Sequence, residues 1–163
     1  MIYLALDQSL NTTGWAIFDD NKLVTYGHFT IPANKPIEQR LNLFTKELMK
    51  LEEQYNFADV FFEDIQYQNN AETHKKLAFI QATIMIWCYN TSHKFTILAP
   101  SHWRSELKSC YKINFGRSRA EQKQKSKELV EKIYNLIVSE DEADAICIGT
   151  CGVQEKQKNR SAF

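Results

Sequence analysis

Four carboxylates in this 163-residue chain stand where they could act together. Asp7 ends the apolar run IYLAL, Glu63 ends the apolar centre of ADVFFEDI, and Asp141 and Asp144 stand three apart in EDEADAICIG. A strand buried on both faces that ends in an acid delivers that acid to the edge of its sheet, where α/β proteins carry their sites. Two acids three apart share one face of a helix. If the two strands are parallel neighbours and the helix docks beside them, three or four carboxylates meet. Unneutralised, they would repel one another strongly in a low-dielectric cleft. Hard divalent cations resolve this, because Mg²⁺ and Mn²⁺ favour carboxylate oxygens. Two such ions about 3.5–4 Å apart can activate a water and stabilise a leaving oxygen in phosphodiester cleavage. Plainer readings stay open at this point. Asp7 could cap a turn, and Asp141 could serve the helix dipole. Glu140 and Glu142 read as solvated, and Asp64 reads as a turn residue with a reserve role as ligand.

The elements that must position these acids follow from patterning. IYLALD is apolar enough for a central strand, and residues 13–19 and 22–31 flank an Asp-Asp-Asn tip, which predicts an antiparallel meander. Gly14 and Gly27 inside those strands predict a bulge or a close approach. Pro36 opens a helix in which Ile37, Leu41, Phe44, Leu48, Leu51 and Tyr55 recur at helical spacing. A strand over 58–65, a helix over 71–89, and a strand over 94–99 follow. The 71–89 helix is apolar almost all round in its second half, so it lies in the core or against another subunit. The rest reads as a short helix SHWRSELK, a loop to Ser118, a long helix over 119–137, and a last helix from Glu140 to about Cys151 capped by Ser139. The first half of the 119–137 helix has no large apolar residue and is expected to project from the body. Residues 153–163 are expected to form a frayed, flexible tail. One domain spans 1–163: a mixed five-stranded α/β sheet, three antiparallel strands followed by parallel ones, with helices on both faces.

Composition narrows the class. No apolar run reaches the ~20 residues that span a bilayer, and the N-terminus carries no signal-peptide pattern, so a cytoplasmic protein without membrane contact is expected. Cys88, Cys110, Cys147 and Cys151 form no C-x-x-C pair and have no suitably spaced His pair, so they read as reduced, buried thiols, and His28, His74, His93 and His102 receive no metal role. The net charge is +0, but residues 104–132 hold 9 Lys/Arg against 4 Asp/Glu. That block suits a polyanion beside an acidic metal site, although a solvated helix face would look the same. Trp103, Tyr111 and Phe115 interleave with it as base or sugar contacts would, with Trp103 favoured as core.

The ordered set LDQSLNTTGWAI, FFEDIQ and DEADAICIG resembles the RuvC-type Holliday-junction resolvases of the ribonuclease H-like superfamily, in a phage-like variant. The resemblance implies a ribonuclease H-like fold and a tetrad of Asp7, Glu63, Asp141 and Asp144 holding Mg²⁺ or Mn²⁺, two ions per site. It implies a homodimer through the 71–91 helix that nicks four-way junctions and other branched DNA, such as forks and flaps, by metal-assisted hydrolysis in the bacterial cytosol. It implies an aromatic at the branch point, for which Tyr67 is the nearest candidate and Gln66 the neighbour. It also implies DNA contacts from Arg117, Arg119, Lys123, Lys125 and Lys127, with Lys123 the first choice for the active-site lysine. The sequence departs from the family at Gln8-Ser9, where Pro-Gly is common. Two other readings remain: a non-catalytic branched-DNA-binding module, and an actin-like nucleotide-binding fragment.

Overall fold

A computed structural model describes residues 1–67 and 69–161. The elements are β1 (Ile2–Asp7), β2 (Thr12–Asp19), β3 (Lys22–Thr30), α1 (Ile37–Tyr55), β4 (Asp59–Glu63), α2 (Ala71–Asn90), β5 (Lys94–Leu98), α3 (Pro100–Tyr111), α4 (Arg119–Tyr134) and α5 (Glu140–Ser161). The sheet order is β3-β2-β1-β4-β5. β1 is central, antiparallel to β2 and parallel to β4, and β4 is parallel to β5. This is the expected mixed sheet, and it puts Asp7 and Glu63 at the same edge.

Strand alternation sorts the two cores. Leu4, Leu6, Val60 and Phe62 pack against α1 and α2, while Tyr3, Ala5, Ala16, Phe18 and Phe61 pack beneath α5. Because side chains alternate every residue, Asp7 and Glu63 continue the Tyr3/Ala5 and Phe61 rows and face α5. Asp64 falls on the other side, where its Oδ1 accepts from Gln81 Nε2 of α2 at 3.2 Å.

α5 lies directly on the sheet because two glycines let it. A Cβ on Gly149 would sit 2.2 Å from the Phe18 ring, and one on Gly14 would sit 1.9 Å from the Asp141 carbonyl oxygen. The close approach anticipated at Gly14 is therefore the seat of the α5 N-terminus, directly opposite Asp7 in the β1–β2 register. Helix ends follow local chemistry. Ser118 and Glu121 form a reciprocal capping box at the start of α4. Asn56, Lys112 and Asn135 close α1, α3 and α4 in the left-handed conformation.

Three expectations change. The segment from Val153 to Ser161 continues α5 rather than fraying. Val153 is buried, and its polar neighbours find partners on other elements: Lys156 with Asp59 at 2.7 Å, Lys158 with Glu106 at 2.7 Å, and Arg160 with the Tyr3 hydroxyl at 3.1 Å. The first half of α4 does not project: Ser126 is buried and Lys123 turns inward. Tyr111 and Phe115 are not free for bases. Phe115 is buried edge-on against Trp103, and the Tyr111 hydroxyl accepts from Gln154 Nε2.

Candidate active site

Three aspartates surround one ammonium group. Lys123 Nζ lies 2.6 Å from Asp144 Oδ2, 3.2 Å from Asp7 Oδ2 and 3.6 Å from Asp141 Oδ1. Asp7 comes from the end of β1, Asp141 and Asp144 from the first turns of α5, and Lys123 from the second turn of α4. The N-terminus of α5 is itself capped, Ser139 N–H donating to Glu142 and Glu142 N–H to the Ser139 hydroxyl. That leaves Asp141 and Asp144 free to face the sheet edge rather than serve the helix end.

Glu63 lines the same cleft but faces a different wall. Its Oε1 accepts from Trp103 Nε1 at 2.9 Å, with Arg104 Nη2 3.8 Å away. Trp103 is fully buried, so it is core and also a fixed donor. Arg104 stacks over the Trp103 ring at 4.4 Å.

The turn over residues 8–12, where the sequence departs from Pro-Gly, is built by side chains. Gln8 is 8% exposed. Its Nε2 donates to the Glu63 carbonyl, and its Oε1 accepts from the Glu63 N–H at 3.2 Å. The β1–β4 ladder stops at Leu6 and Phe62, so the Gln8 amide stands in for one more backbone pair and ties the two acid-bearing strands together. Thr13 and Ser9 close the turn onto itself. Buried Arg40 of α1 pins it from outside through the Leu10 carbonyl and Asn11 Oδ1.

The electrostatics follow from burial. Burial first, then the charges of Asp144 and Glu63, together raise the Asp7 carboxyl to about 8, with Lys123 only partly offsetting them. Burial also raises Glu63, against the Trp103 hydrogen bond and Arg104. For Lys123, burial pulls downward, but Asp7 and Asp144 outweigh it and hold the ammonium well above its usual range. The residues fit a hard divalent cation: carboxylate oxygens converge on a point already taken by a positive charge, and the buried Asp144 Oδ1 has no hydrogen-bond partner among the described residues.

The cleft has a volume of about 630 Å³, and its walls carry Arg40, Lys76, Arg104, Arg119 and Lys123. Of the five basic residues expected to meet DNA, Lys123 reaches the acids and Arg119 lines the cleft. Arg117 is exposed nearby. Lys125 pairs with Glu128 and, with Lys127, lies away from the cleft lining. Gln66 lines the cleft, whereas Tyr67 is 83% exposed at the rim, its ring 6.1 Å from that of His74. Four residues escaped the sequence reading as site builders: Gln8, Arg40, Trp103 and Lys76. Only Gln8, as a departure from Pro-Gly, and Trp103, as an aromatic beside the basic block, carried any signal.

The family described as crossover junction endodeoxyribonuclease RuvC matches residues 3–152. A protein so described from Dictyoglomus thermophilum is 26% identical over 152 residues, covering 91% of this chain and 93% of its own. One from Clostridioides difficile is 23% identical, covering 93% and 89%. Among solved structures, Thermus thermophilus RuvC in complex with a Holliday junction substrate superposes with a TM-score of 0.76 at 12% identity, over 96% of both chains. The fowlpox virus resolvase, in complex with its Holliday junction DNA, does so with a TM-score of 0.64 at 16% identity, over 96% and 99%. The structural likenesses carry the ribonuclease H-like fold, and the match over residues 3–152 carries the kinship: this chain belongs to the RuvC family of crossover junction endodeoxyribonucleases.

Proposed function

We propose that this protein is a metal-dependent, structure-selective endonuclease that nicks four-way DNA junctions. The observation that carries this reading is the convergence of Asp7, Asp141 and Asp144 on one point beside Glu63, in a cleft whose walls also carry Arg40, Lys76, Arg104 and Arg119. Asp7, Glu63, Asp141 and Asp144 are the residues that would hold two Mg²⁺ or Mn²⁺ ions. When bound, such ions supply charge stabilisation at the scissile phosphate and an activated water. The protein's own part is to orient and neutralise. Gln8 and Trp103 hold the main chain and carboxylate of Glu63. Lys123, once displaced from the aspartates, is within reach of a phosphate. Arg117, just ahead of α4, and Arg119, Lys125 and Lys127 on it serve as backbone contacts, each neutralised phosphate contributing about 0.9 to the log–log salt slope. Tyr67 stands at the rim as a stacking platform for an unpaired base.

The test sets four-way, three-way, flap and duplex substrates side by side in Mg²⁺, Mn²⁺ and EDTA. Nicking confined to branched DNA and abolished by EDTA is expected. Junction binding without cleavage in any divalent ion would instead make the protein a binding module.

Two further expectations belong to this reading. Trp103→Phe keeps an aromatic ring at this position but removes the N–H donated to Glu63. Loss of such a supporting hydrogen bond costs about 10–100-fold in metal affinity or activity. It should appear as a higher Mg²⁺ concentration for half-maximal nicking. Phe79, Ala82, Ile86 and Tyr89 are exposed on α2 at successive helical turns, and we assign this stripe to a homodimer contact. Ile86→Glu should weaken dimerisation about 30-fold or more, as loss of a central apolar anchor does, and shift the mass seen by light scattering to the monomer. An unchanged mass would move the interface elsewhere.

A further inference from the structure

A second cluster of metal-ligating side chains lies away from the acidic cleft, between α3 and α5. His102 of α3 and Cys151 and Glu155 of α5 each bring one ligand atom within 4.8 Å of the others. Cys151 and Glu155 are one turn apart and so share a face of α5. His102 comes from the facing helix, and its Nε2 is hydrogen bonded to Glu155 Oε1. Spacing along the chain does not reveal the set, because the histidine lies 49 residues from the cysteine in sequence.

We propose that His102, Cys151 and Glu155 form a second metal site, selective for a zinc-class cation rather than for Mg²⁺ or Mn²⁺. The ligand chemistry separates the two sites. An imidazole, a thiol and one carboxylate suit the softer, tetrahedral ion, whereas the cleft offers carboxylate oxygens alone. Three protein ligands leave one position for solvent, and half-exposed His102 gives the ion a way in. Cys151 is buried at the base of the cluster, so one ligand is held rigidly by the core. On binding, the proton shared by His102 Nε2 and Glu155 Oε1 passes to His102 Nδ1 or to solvent, and each of the two atoms takes up a metal–ligand bond in place of the hydrogen bond. The Cys151 S–H proton leaves to solvent as the metal–sulfur bond forms, with no change of oxidation state. One turn further along the same helices, the Lys158–Glu106 pair at 2.7 Å closes the interface without competing for the ion.

The consequence is a brace. His102 immediately precedes Trp103 and Arg104, which face Glu63, and the other two ligands sit on the helix that begins with Asp141 and Asp144. An ion at the site would fix α3 against α5, and with it the distance between the two halves of the acidic centre.

The experiment is titration of the reduced full-length protein with Co²⁺, followed by thermal melting with Zn²⁺ in excess Mg²⁺. One equivalent of Co²⁺ should give a thiolate-to-cobalt charge-transfer band. Zn²⁺ should raise the melting temperature of the wild type. His102→Gln and Glu155→Gln, both outside the core, should weaken Co²⁺ binding at least about tenfold and reduce the Zn²⁺ shift, and Cys151→Ser should abolish the band. Cys110→Ser and Asp144→Asn should leave the band intact, which separates this site from the neighbouring exposed thiol and from the cleft. No thiolate band in the wild type, or a band that survives His102→Gln and Glu155→Gln unchanged, overturns the proposal even if Cys151→Ser does not fold.

Discussion

Asparagine at Asp7 is expected to cut junction nicking by at least about 10²–10³-fold, the loss seen when a group stabilising transition-state charge is removed, while making the metal-free protein more stable. Both effects have one cause. Asp7 is largely withdrawn from water, and its carboxylate faces Asp144 and Glu63 with Lys123 only partly offsetting them, so its ionised form is disfavoured in the fold. Asparagine keeps the shape and removes that charge. Relief of such a site adds roughly 0.5–2 kcal/mol. The sign for pH follows. The folded carboxyl titrates near 8, far above its ordinary 3.8. Its contribution therefore favours the fold below the unfolded value and is lost as pH rises toward 8. Wild type in EDTA should lose melting temperature across that window, Asp7→Asn should show a shallower fall, and saturating Mg²⁺ should remove the difference in slope by stabilising the wild type alone. Junction affinity of Asp7→Asn, measured in EDTA, should stay within about threefold, since the basic walls of the cleft are untouched. A variant that still nicks in Mg²⁺ would remove Asp7 from the centre.

What the sequence made legible was whatever rests on short-range pattern. Asp7 and Glu63 could be placed at one sheet edge because both end strands with nearly unbroken apolar centres. The three-residue step from Asp141 to Asp144 placed both on one helix face. Gly14 signalled a close approach, although not that Asp141 would be the group arriving. The rest depended on partners distant in sequence. The end of α5 is held by Asp59, Glu106 and Tyr3, which no periodicity in QEKQKNR could reveal. Gln8 looked like an anomaly beside Asp7 and is a side-chain amide completing a ladder with Glu63, 55 residues away. Trp103 was weighed as core or as a DNA contact, and the structure makes it core that donates into the site. A basic half-helix with no large apolar residue, as in RAEQKQKSKE, reads as a projecting element until three aspartates are known to lie beneath it.

Those aspartates make the opposite prediction for Lys123. Replacing it with methionine retains most of the aliphatic stem but leaves Asp7, Asp141 and Asp144 without their shared counter-charge. Breaking a buried pair by removing one partner typically costs about 3–5 kcal/mol, so Lys123→Met should lower the melting temperature in EDTA where Asp7→Asn raises it. Mg²⁺ should restore most of the loss, because the cation takes the place of the ammonium. The same exchange bears on metal affinity. In the wild type an entering ion must displace Lys123 from a contact of 2.6 Å with Asp144, and a DNA phosphate offers the displaced lysine a new partner. Without DNA, Lys123→Met should therefore bind Mn²⁺ more tightly than the wild type by calorimetry, and added junction should strengthen Mn²⁺ binding in the wild type far more than in the variant. Equal Mn²⁺ affinities without DNA would mean that the ammonium does not compete for the site. The double variant Asp7→Asn/Lys123→Met completes the cycle. The two residues share one cluster, so its stability should depart from the sum of the single changes by about 0.5–3 kcal/mol, toward the wild type. Strict additivity would separate Lys123 from Asp7 and leave Asp141 and Asp144 as its partners.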